Sequence, residues 1–114
     1  MLKVIALLKK RDGISKSELI TYYENNHVPL ICSLTNHIAS YKRNYVDLEG
    51  SIFYENVSSL DFDIVTEFLF KDRAAYDAAL ADFTYPEAAQ RIATDEENIF
   101  DRSMTRFFIV EEYE

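Results

Sequence analysis

The sequence has very few of the residues that mark several classes of protein. Among its 114 residues are one cysteine, two glycines, two prolines, two histidines and no tryptophan. The single cysteine, Cys32, excludes an internal disulfide and is typical of a reducing compartment, where we expect it to be a small buried hydrophobe. Few glycines and prolines beside 48% hydrophobic residues exclude a collagen-like or disordered chain. We therefore expect one globular domain over residues 1–114.

Positive charge is also scarce. The chain has 12 Lys and Arg against 20 Asp and Glu, a formal net charge of -8. Nucleic acids and anionic membrane surfaces bind proteins through basic patches, so neither is predicted as a partner. The apolar run at residues 4–8 is too short for a signal peptide or a membrane span. The expected location is the cytoplasm.

The hydrophobic pattern predicts strands and helices in alternation. Four strands are predicted, at residues 2–9, 37–47, 62–70 and 104–111. Ser15 with Glu18 forms a capping box before the first helix, and Asp72 caps an alanine-rich second one. Pro86 is expected to begin another helix, and Thr94 to open a second capping box leading into residues 99–100.

The first helix contains a predicted break. The residue before a proline avoids the α conformation, so Val28-Pro29 is expected to interrupt the helix. His27 would then lie between two helical segments.

The order of elements, βαββαβ, predicts an α+β, ferredoxin-like fold, with a four-stranded antiparallel sheet and helices on one face. A sheet covered on one side normally keeps a polar face toward water. Here the first, third and fourth strands are largely apolar on both faces. A second copy of the chain is therefore expected to cover the open face, giving a homodimer built as a dimeric α/β barrel.

Charged and titratable residues on these elements are the candidates for chemistry. An imidazole transfers protons near neutral pH, which makes His27 a candidate, although a local capping role would also explain it. Asp63 and Glu67 share the second face of the third strand. Either they form ion pairs with Arg43 or Arg106 across the sheet or dimer, or they line a ligand cavity.

Three tyrosines are expected to contact a ligand, because a phenol provides both an apolar wall and a hydrogen bond. These are Tyr22, Tyr41 and Tyr45. The two histidines lack a metal-binding spacing, and the chain has no glycine-rich phosphate loop and no nucleophilic serine elbow. No metal and no cofactor is predicted.

Residues 22–30 read YYENNHVPL, which resembles the tyrosine–histidine–proline–leucine signature of the EthD family, a member of the dimeric α/β-barrel superfamily. Residues 43–46, 62–67 and 95–102 resemble further segments of that family in the same order, so the resemblance covers nearly the whole chain. It implies a ferredoxin-like protomer and a face-to-face dimer.

The resemblance also implies roles for individual residues. His27 would be the acid/base of the pocket, and Asp63, Arg43 and Asn44 would place the substrate. From the residues themselves, we expect Asp63 to assist catalysis by orienting the proton transfer or balancing the developing charge, and Glu67 to contact the ligand.

The family's known functions are diverse. They include a protein encoded with an ether-degrading cytochrome P450 system and fungal polyketide-tailoring dehydratases and decarboxylases. The related methylmuconolactone methylisomerase is a cofactor-free enzyme that works by proton transfer. The absence of tryptophan disfavours the quinone-forming monooxygenases of the superfamily.

Three functional hypotheses follow. The first is a cofactor-free isomerase, dehydratase or decarboxylase acting on a small hydrophobic lactone or aromatic polyketide-like molecule, in a degradation or secondary-metabolite pathway. The second is a non-catalytic binding or accessory protein for hydrophobic metabolites, for example serving an oxygenase system. The third is a dimer whose inner charges are interface ion pairs, with no cavity.

Overall fold

The computed structural model describes all residues, 1–114, as an antiparallel sheet with helices packed against one face. The strands are β1 (Leu2–Leu8), β2 (Ile38–Tyr45), β3 (Ile64–Phe70) and β4 (Arg106–Val110). The helices are α1 (Lys16–Tyr22), α2 (Val28–Leu34), α3 (Arg73–Thr84) and α4 (Pro86–Glu96). A π-helical turn, Tyr23–His27, joins α1 to α2, and a 3₁₀ turn, Arg102–Met104, precedes β4. The strand order β2-β3-β1-β4 confirms the predicted ferredoxin-like fold.

Of the three predicted helix caps, those at Ser15 and Asp72 are confirmed and the one at Thr94 is wrong. The backbone N–H of Glu18 donates to the Ser15 hydroxyl at 3.0 Å, and that of Ala75 donates to the Asp72 carboxylate at 2.8 Å. Thr94, in contrast, lies in the last turns of α4, which continues unbroken to Glu96. A cap satisfies backbone N–H groups that lack a helical partner, and here those partners are already present.

The predicted helix break at Val28-Pro29 is also wrong. The chain stays helical from α1 through α2, and His27 has φ -70° and ψ -46°. Pro29 has no N–H to donate, and its ring crowds the carbonyl of the preceding turn. The helix accommodates it with the wider π turn, in which the Val28 N–H reaches the carbonyl of Tyr23. Such turns are frequent at functional sites.

The core lies between the helices and one face of the sheet. Alternate residues of β1 and β3 point into it, including Val4 and Ile64, both fully buried. Tyr23 and Phe100 pack against them from the helical side. Thr66 is buried in the same layer, and it is satisfied by a hydrogen bond to the Tyr23 hydroxyl.

The other face of the sheet is covered by no element of the chain. Six apolar residues occupy it: Ile5, Leu7, Val65, Leu69, Phe108 and Val110. Lys3 and Glu67 form an ion pair of 2.7 Å beside them. We call this surface the open face.

Cys32 is exposed, so the expectation of a buried cysteine is wrong. Its neighbour Ile31 occupies the core position of α2. The next residue of a helix is rotated by about 100°, which turns Cys32 away from the core. None of the helices combines the length and the apolar character that a membrane span requires.

Candidate functional site

His27 is held in one orientation by two other side chains. It lies in the π turn, and only 4% of the residue is exposed. Its Nδ1 is 2.8 Å from Oδ2 of Asp95, in the last turn of α4. The Tyr22 hydroxyl donates to the other oxygen of that carboxylate at 2.7 Å, and this hydrogen bond raises the pKa of Tyr22. A carboxylate on Nδ1 fixes both the proton position and the angle of the ring.

The second nitrogen of His27, Nε2, is not engaged by another side chain in the way that Nδ1 is. Nε2 makes no hydrogen bond, and its nearest charged neighbour is Oε2 of Glu96 at 3.7 Å. Every fully buried side-chain nitrogen or oxygen in the protein has a hydrogen-bond partner. Because Nε2 has no such partner, it is not fully buried, and it is the accessible atom of an otherwise buried side chain.

A cavity of about 160 Å³ lies beside this nitrogen. Twelve residues line it: Ala6, Leu8, Tyr23, His27, Ile31, Tyr41, Phe68, Phe83, Ile92, Glu96, Thr105 and Phe107. Most of this wall is apolar, and no lysine or arginine contributes to it. An apolar protein cavity of about 150 Å³ holds benzene, so the space fits one ring. We call it the His27 cavity.

A buried tyrosine, Tyr23, and a partly buried one, Tyr41, form a hydrogen-bonded wall of the His27 cavity. The Tyr23 hydroxyl lies 2.9 Å from that of Tyr41 and 3.0 Å from Oγ1 of Thr66. Burial raises the pKa of Tyr23 to about 12, and it also raises the pKa of Tyr41. Both phenols are neutral at physiological pH, so they act as hydrogen-bond donors and not as bases.

Arg43 lies on the same side of the sheet but is already paired. Its guanidinium binds the Glu24 carboxylate through Nη2 at 2.6 Å and Nε at 2.9 Å. The Tyr45 hydroxyl donates to the same carboxylate at 2.6 Å, and Arg43 lies 4.9 Å from the centre of the Tyr41 ring. These contacts make Arg43 and Tyr45 supports behind the tyrosine wall, neither of which lines the His27 cavity.

The Glu24 pairing predicts a pH-dependent contribution to stability. The hydrogen bond from Arg43 lowers the pKa of Glu24, so its charged form is favoured in the folded state. That stabilisation is present above the ordinary pKa and is lost as the pH falls through the lowered one. We expect Glu24→Gln to cost about 1 kcal/mol at pH 7, reduced by partial exposure, and almost nothing at acidic pH.

The free energy of unfolding is measured by urea unfolding of wild type, Glu24→Gln and Glu55→Gln at several pH values. Glu55 is exposed in the loop 46–63 and serves as the control. An equal cost of Glu24→Gln at pH 7 and at pH 3 would contradict the ionic role.

Three other predicted site residues, Asn44, Glu67 and Asp63, lie away from His27. Asn44 and Glu67 lie on the open face, joined by a 2.8 Å hydrogen bond. Asp63 accepts the backbone N–H of Lys10 at 2.7 Å, which fastens the end of β1. Within the chain the expected ion pairs with Arg43 or Arg106 are not formed, because these arginines pair with Glu24 and Asp61; pairs across a dimer stay a prediction. Glu67 pairs instead with Lys3.

A second cavity, of about 440 Å³, lies under the loop 46–63. Tyr45 and Asp63 line it, together with Lys10, Lys16 and apolar residues of the loop. The predicted residues are thus divided among three places. His27 and Tyr41 line the His27 cavity and Tyr22 supports it, Tyr45 and Asp63 line the loop cavity, and Asn44 and Glu67 lie on the open face.

Asp95 and Glu96 are the site residues that the sequence analysis missed, because it placed them in a helix-capping motif. One signal could have found them. Three acidic residues in succession at the C-terminal end of a helix are unfavourable, since the helix dipole is negative there. Such a cost suggests another role for the side chains. No group of three His, Cys, Asp or Glu side chains is arranged to hold a metal ion.

Solved structures with similar folds come from several organisms. An EthD-family protein from Bacillus halodurans has a TM-score of 0.65 and 19% identity, with 99% of each chain covered. A DABB-family protein with a ferredoxin-like fold from Mesorhizobium loti has a TM-score of 0.65 and 10% identity, covering 99% of this chain and 97% of that one. SnoaB, a cofactor-independent oxygenase from Streptomyces nogalater, has a TM-score of 0.58 and 10% identity, covering 99% and 93%. At these identities the similarity shows the fold.

Sequence comparison identifies the family. No curated protein matches the chain. The family model described as the EthD domain matches residues 11–103, which include the π turn, the tyrosine wall and both acidic residues beside His27. The chain belongs to the EthD family.

Proposed function

We propose that the protein is a cofactor-independent enzyme that moves a proton on a small hydrophobic ring compound. One observation carries the proposal: a buried histidine, oriented by Asp95, presents an accessible Nε2 to an apolar cavity of one-ring size. Histidine oriented by a carboxylate is a common general base, and an apolar pocket with a few convergent polar groups is the usual form of a small-molecule site.

The proposed chemistry uses the groups that line the His27 cavity. Nε2 of His27 takes a proton from a carbon beside a ring carbonyl and returns it to another position, giving isomerisation. Where a hydroxyl lies β to that carbonyl, the enolate formed by the same proton abstraction can instead expel it, and the imidazolium returns the proton so that the hydroxyl leaves as water. The carbonyl oxygen gains negative charge in this step, and the neutral Tyr41 hydroxyl at the wall can donate to it. Asp95 stabilises the imidazolium that forms.

The size of the cavity narrows the substrate class. A volume of about 160 Å³ accommodates a single ring with small substituents, such as a lactone or a monocyclic aromatic. A fused polyketide would exceed this volume and would have to extend beyond the twelve lining residues.

The main alternative is a binding protein for hydrophobic metabolites. The mostly apolar wall favours it, because binding needs no general base. The oriented histidine favours the enzyme. The third hypothesis, in which inner charges only hold a dimer together, does not account for a cavity beside His27.

We also propose that the protein is a homodimer through the open face. The chain leaves six apolar side chains there without a covering element. A second copy would bury them by a two-fold symmetric contact, which is the commonest form of assembly. The cytoplasmic location remains a prediction.

A thermal-shift screen tests the ligand site. Wild type, His27→Gln and the control His37→Gln are heated with lactones, quinones and hydroxylated monocyclic aromatics. A ligand at 100 times its dissociation constant adds about 2.7 kcal/mol, or several degrees. We expect shifts in wild type and His37→Gln and smaller ones in His27→Gln.

Compounds that shift the melting temperature are then followed by NMR for conversion. Conversion supports the enzyme, and binding without conversion supports the alternative. No shift with any compound, or equal shifts in all three proteins, would refute a ligand site at His27.

A further inference from the structure

Two residues that line the His27 cavity, His27 and Glu96, each have a polar atom without a hydrogen-bond partner. One is Nε2 of His27, and the other is Oε2 of Glu96, 3.7 Å away. The other oxygen of Glu96, Oε1, accepts a hydrogen bond from Nε of Arg102 at 3.2 Å, whereas Oε2 has none. Only 5% of the His27 side chain and 18% of the Glu96 side chain are exposed. Two polar atoms without hydrogen-bond partners, each on a largely buried side chain, provide a place for a ligand group.

The charged groups next to His27 Nε2 and Glu96 Oε2 on the side of the cavity are all negative. Asp95 stands 2.8 Å behind the imidazole, and Glu96 is part of the wall. Arg102 is half exposed and does not line the cavity. An anionic ligand would have to lose its hydration next to a carboxylate with no cation in the wall, which is unfavourable.

Binding of a neutral hydroxyl group at the same place is favourable. Its hydrogen can be donated to the Glu96 carboxylate, and a hydrogen bond to a charged acceptor is stronger than one between neutral groups. Its oxygen remains within reach of Nε2 of His27, and the ring behind it fills the apolar part of the cavity.

We propose that Glu96 makes the His27 cavity selective for neutral rings that carry a hydroxyl donor and against their carboxylate analogues. The inference rests on the proposed ligand site at His27, and it adds the class of ligand and the residue that selects it. In this assignment Glu96 is a specificity-determining residue.

Three compounds of one ring each test the selectivity at pH 7: phenol, toluene and benzoate. Phenol and toluene have nearly the same shape and differ in the hydroxyl, and benzoate carries the negative charge. Dissociation constants are measured by NMR titration. We expect wild type to bind phenol roughly tenfold or more tightly than toluene and to bind benzoate most weakly.

Two variants assign the selectivity to Glu96. Glu96→Gln replaces the charged acceptor by a neutral one, so the preference for phenol over toluene should fall about fivefold to tenfold and benzoate binding should improve. Glu97→Gln removes one negative charge at the neighbouring, exposed position and should keep the wild-type order.

The outcomes separate this inference from the proposed function. If the rings bind but benzoate binds as tightly as phenol, the selectivity is overturned and the ligand site stands. If Glu96→Gln keeps the full preference for phenol, Glu96 is not the selecting residue. If none of the three compounds binds at millimolar concentration, the ligand site fails and the inference fails with it.

Discussion

His27→Gln is expected to lower the turnover of a substrate found in the screen by 10²–10⁴-fold, which is the usual contribution of a general base. Glutamine keeps a polar side chain of similar reach but cannot accept and return a proton near neutral pH. The loss should appear mainly in kcat, because the proton acceptor is removed, with a smaller rise in KM from the lost contact at Nε2. Steady-state kinetics measures it, with circular dichroism to verify the fold. Turnover within tenfold of wild type would contradict the assignment of the base.

His37→Gln is the matched control for that experiment. His37 is the other histidine of the chain and lies outside the His27 cavity, half-exposed before β2. The same substitution there should leave kcat unchanged. A comparable loss in both variants would indicate a general effect on the protein.

Asp95→Asn tests whether the carboxylate acts through His27. An amide at this position can donate to Nδ1, which moves the ring proton to Nε2 and removes the base. We expect a loss of kcat of about 10²-fold or more at nearly unchanged KM, and a double variant with His27→Gln that is no worse than His27→Gln alone. Additive losses would mean that Asp95 has a separate role, such as holding Tyr22.

The fold could be predicted from the sequence because its signals are local. The capping box at Ser15 requires only residues three apart, and the alternation in residues 62–70 directly reflects the pleat of a strand. The wider turn at Tyr23–His27 could not be predicted in this way. The missing N–H of Pro29 is visible in the sequence, but whether the helix breaks or widens depends on the packing of α2 against the core.

The faces of β2 show a second limit of sequence patterns. A bulge between Ile38 and Ser40 shifts the alternation by one residue. Tyr41 and Arg43 therefore point to the same side as Ile38, and Asn44 points to the open face. A strand with mixed polarity gives no warning of such a shift, because either register leaves some polar residues inside.

The pairing of His27 with Asp95 shows the third limit. The two residues are 68 positions apart and meet only because α4 packs beside the π turn. From the sequence, Asp63 and Glu67 were equally good candidates for residues of the functional site. Both are satisfied by neighbours in the sheet, which a single sequence does not show.

Val65→Lys is expected to convert the proposed dimer into monomers. Val65 lies in β3 on the open face, between Leu7 and Asn44 on the adjacent strands. In a dimer each copy would bury an unpaired ammonium, at several kcal/mol per copy, so the dissociation constant should rise on the order of 10³-fold or more. Light scattering after gel filtration should give twice the chain mass of 13.3 kDa for wild type and the single mass for the variant.

The control is Ile52→Lys, the same gain of charge at a loop residue that is 83% exposed. Both variants reduce the net charge of -8 by one unit, which weakens repulsion between copies. Dissociation of Val65→Lys alone therefore cannot come from overall charge. A Val65→Lys protein that remains dimeric would show that the open face is not the interface.

The monomeric variant also separates the two proposals from each other. The strand residues that line the His27 cavity lie on the helix-facing side of the sheet, opposite Val65. We therefore expect the Val65→Lys monomer to bind phenol with wild-type affinity. If affinity fell together with the dimer, the second copy would have to shape the cavity through the sheet, and the site could no longer be ascribed to a single chain.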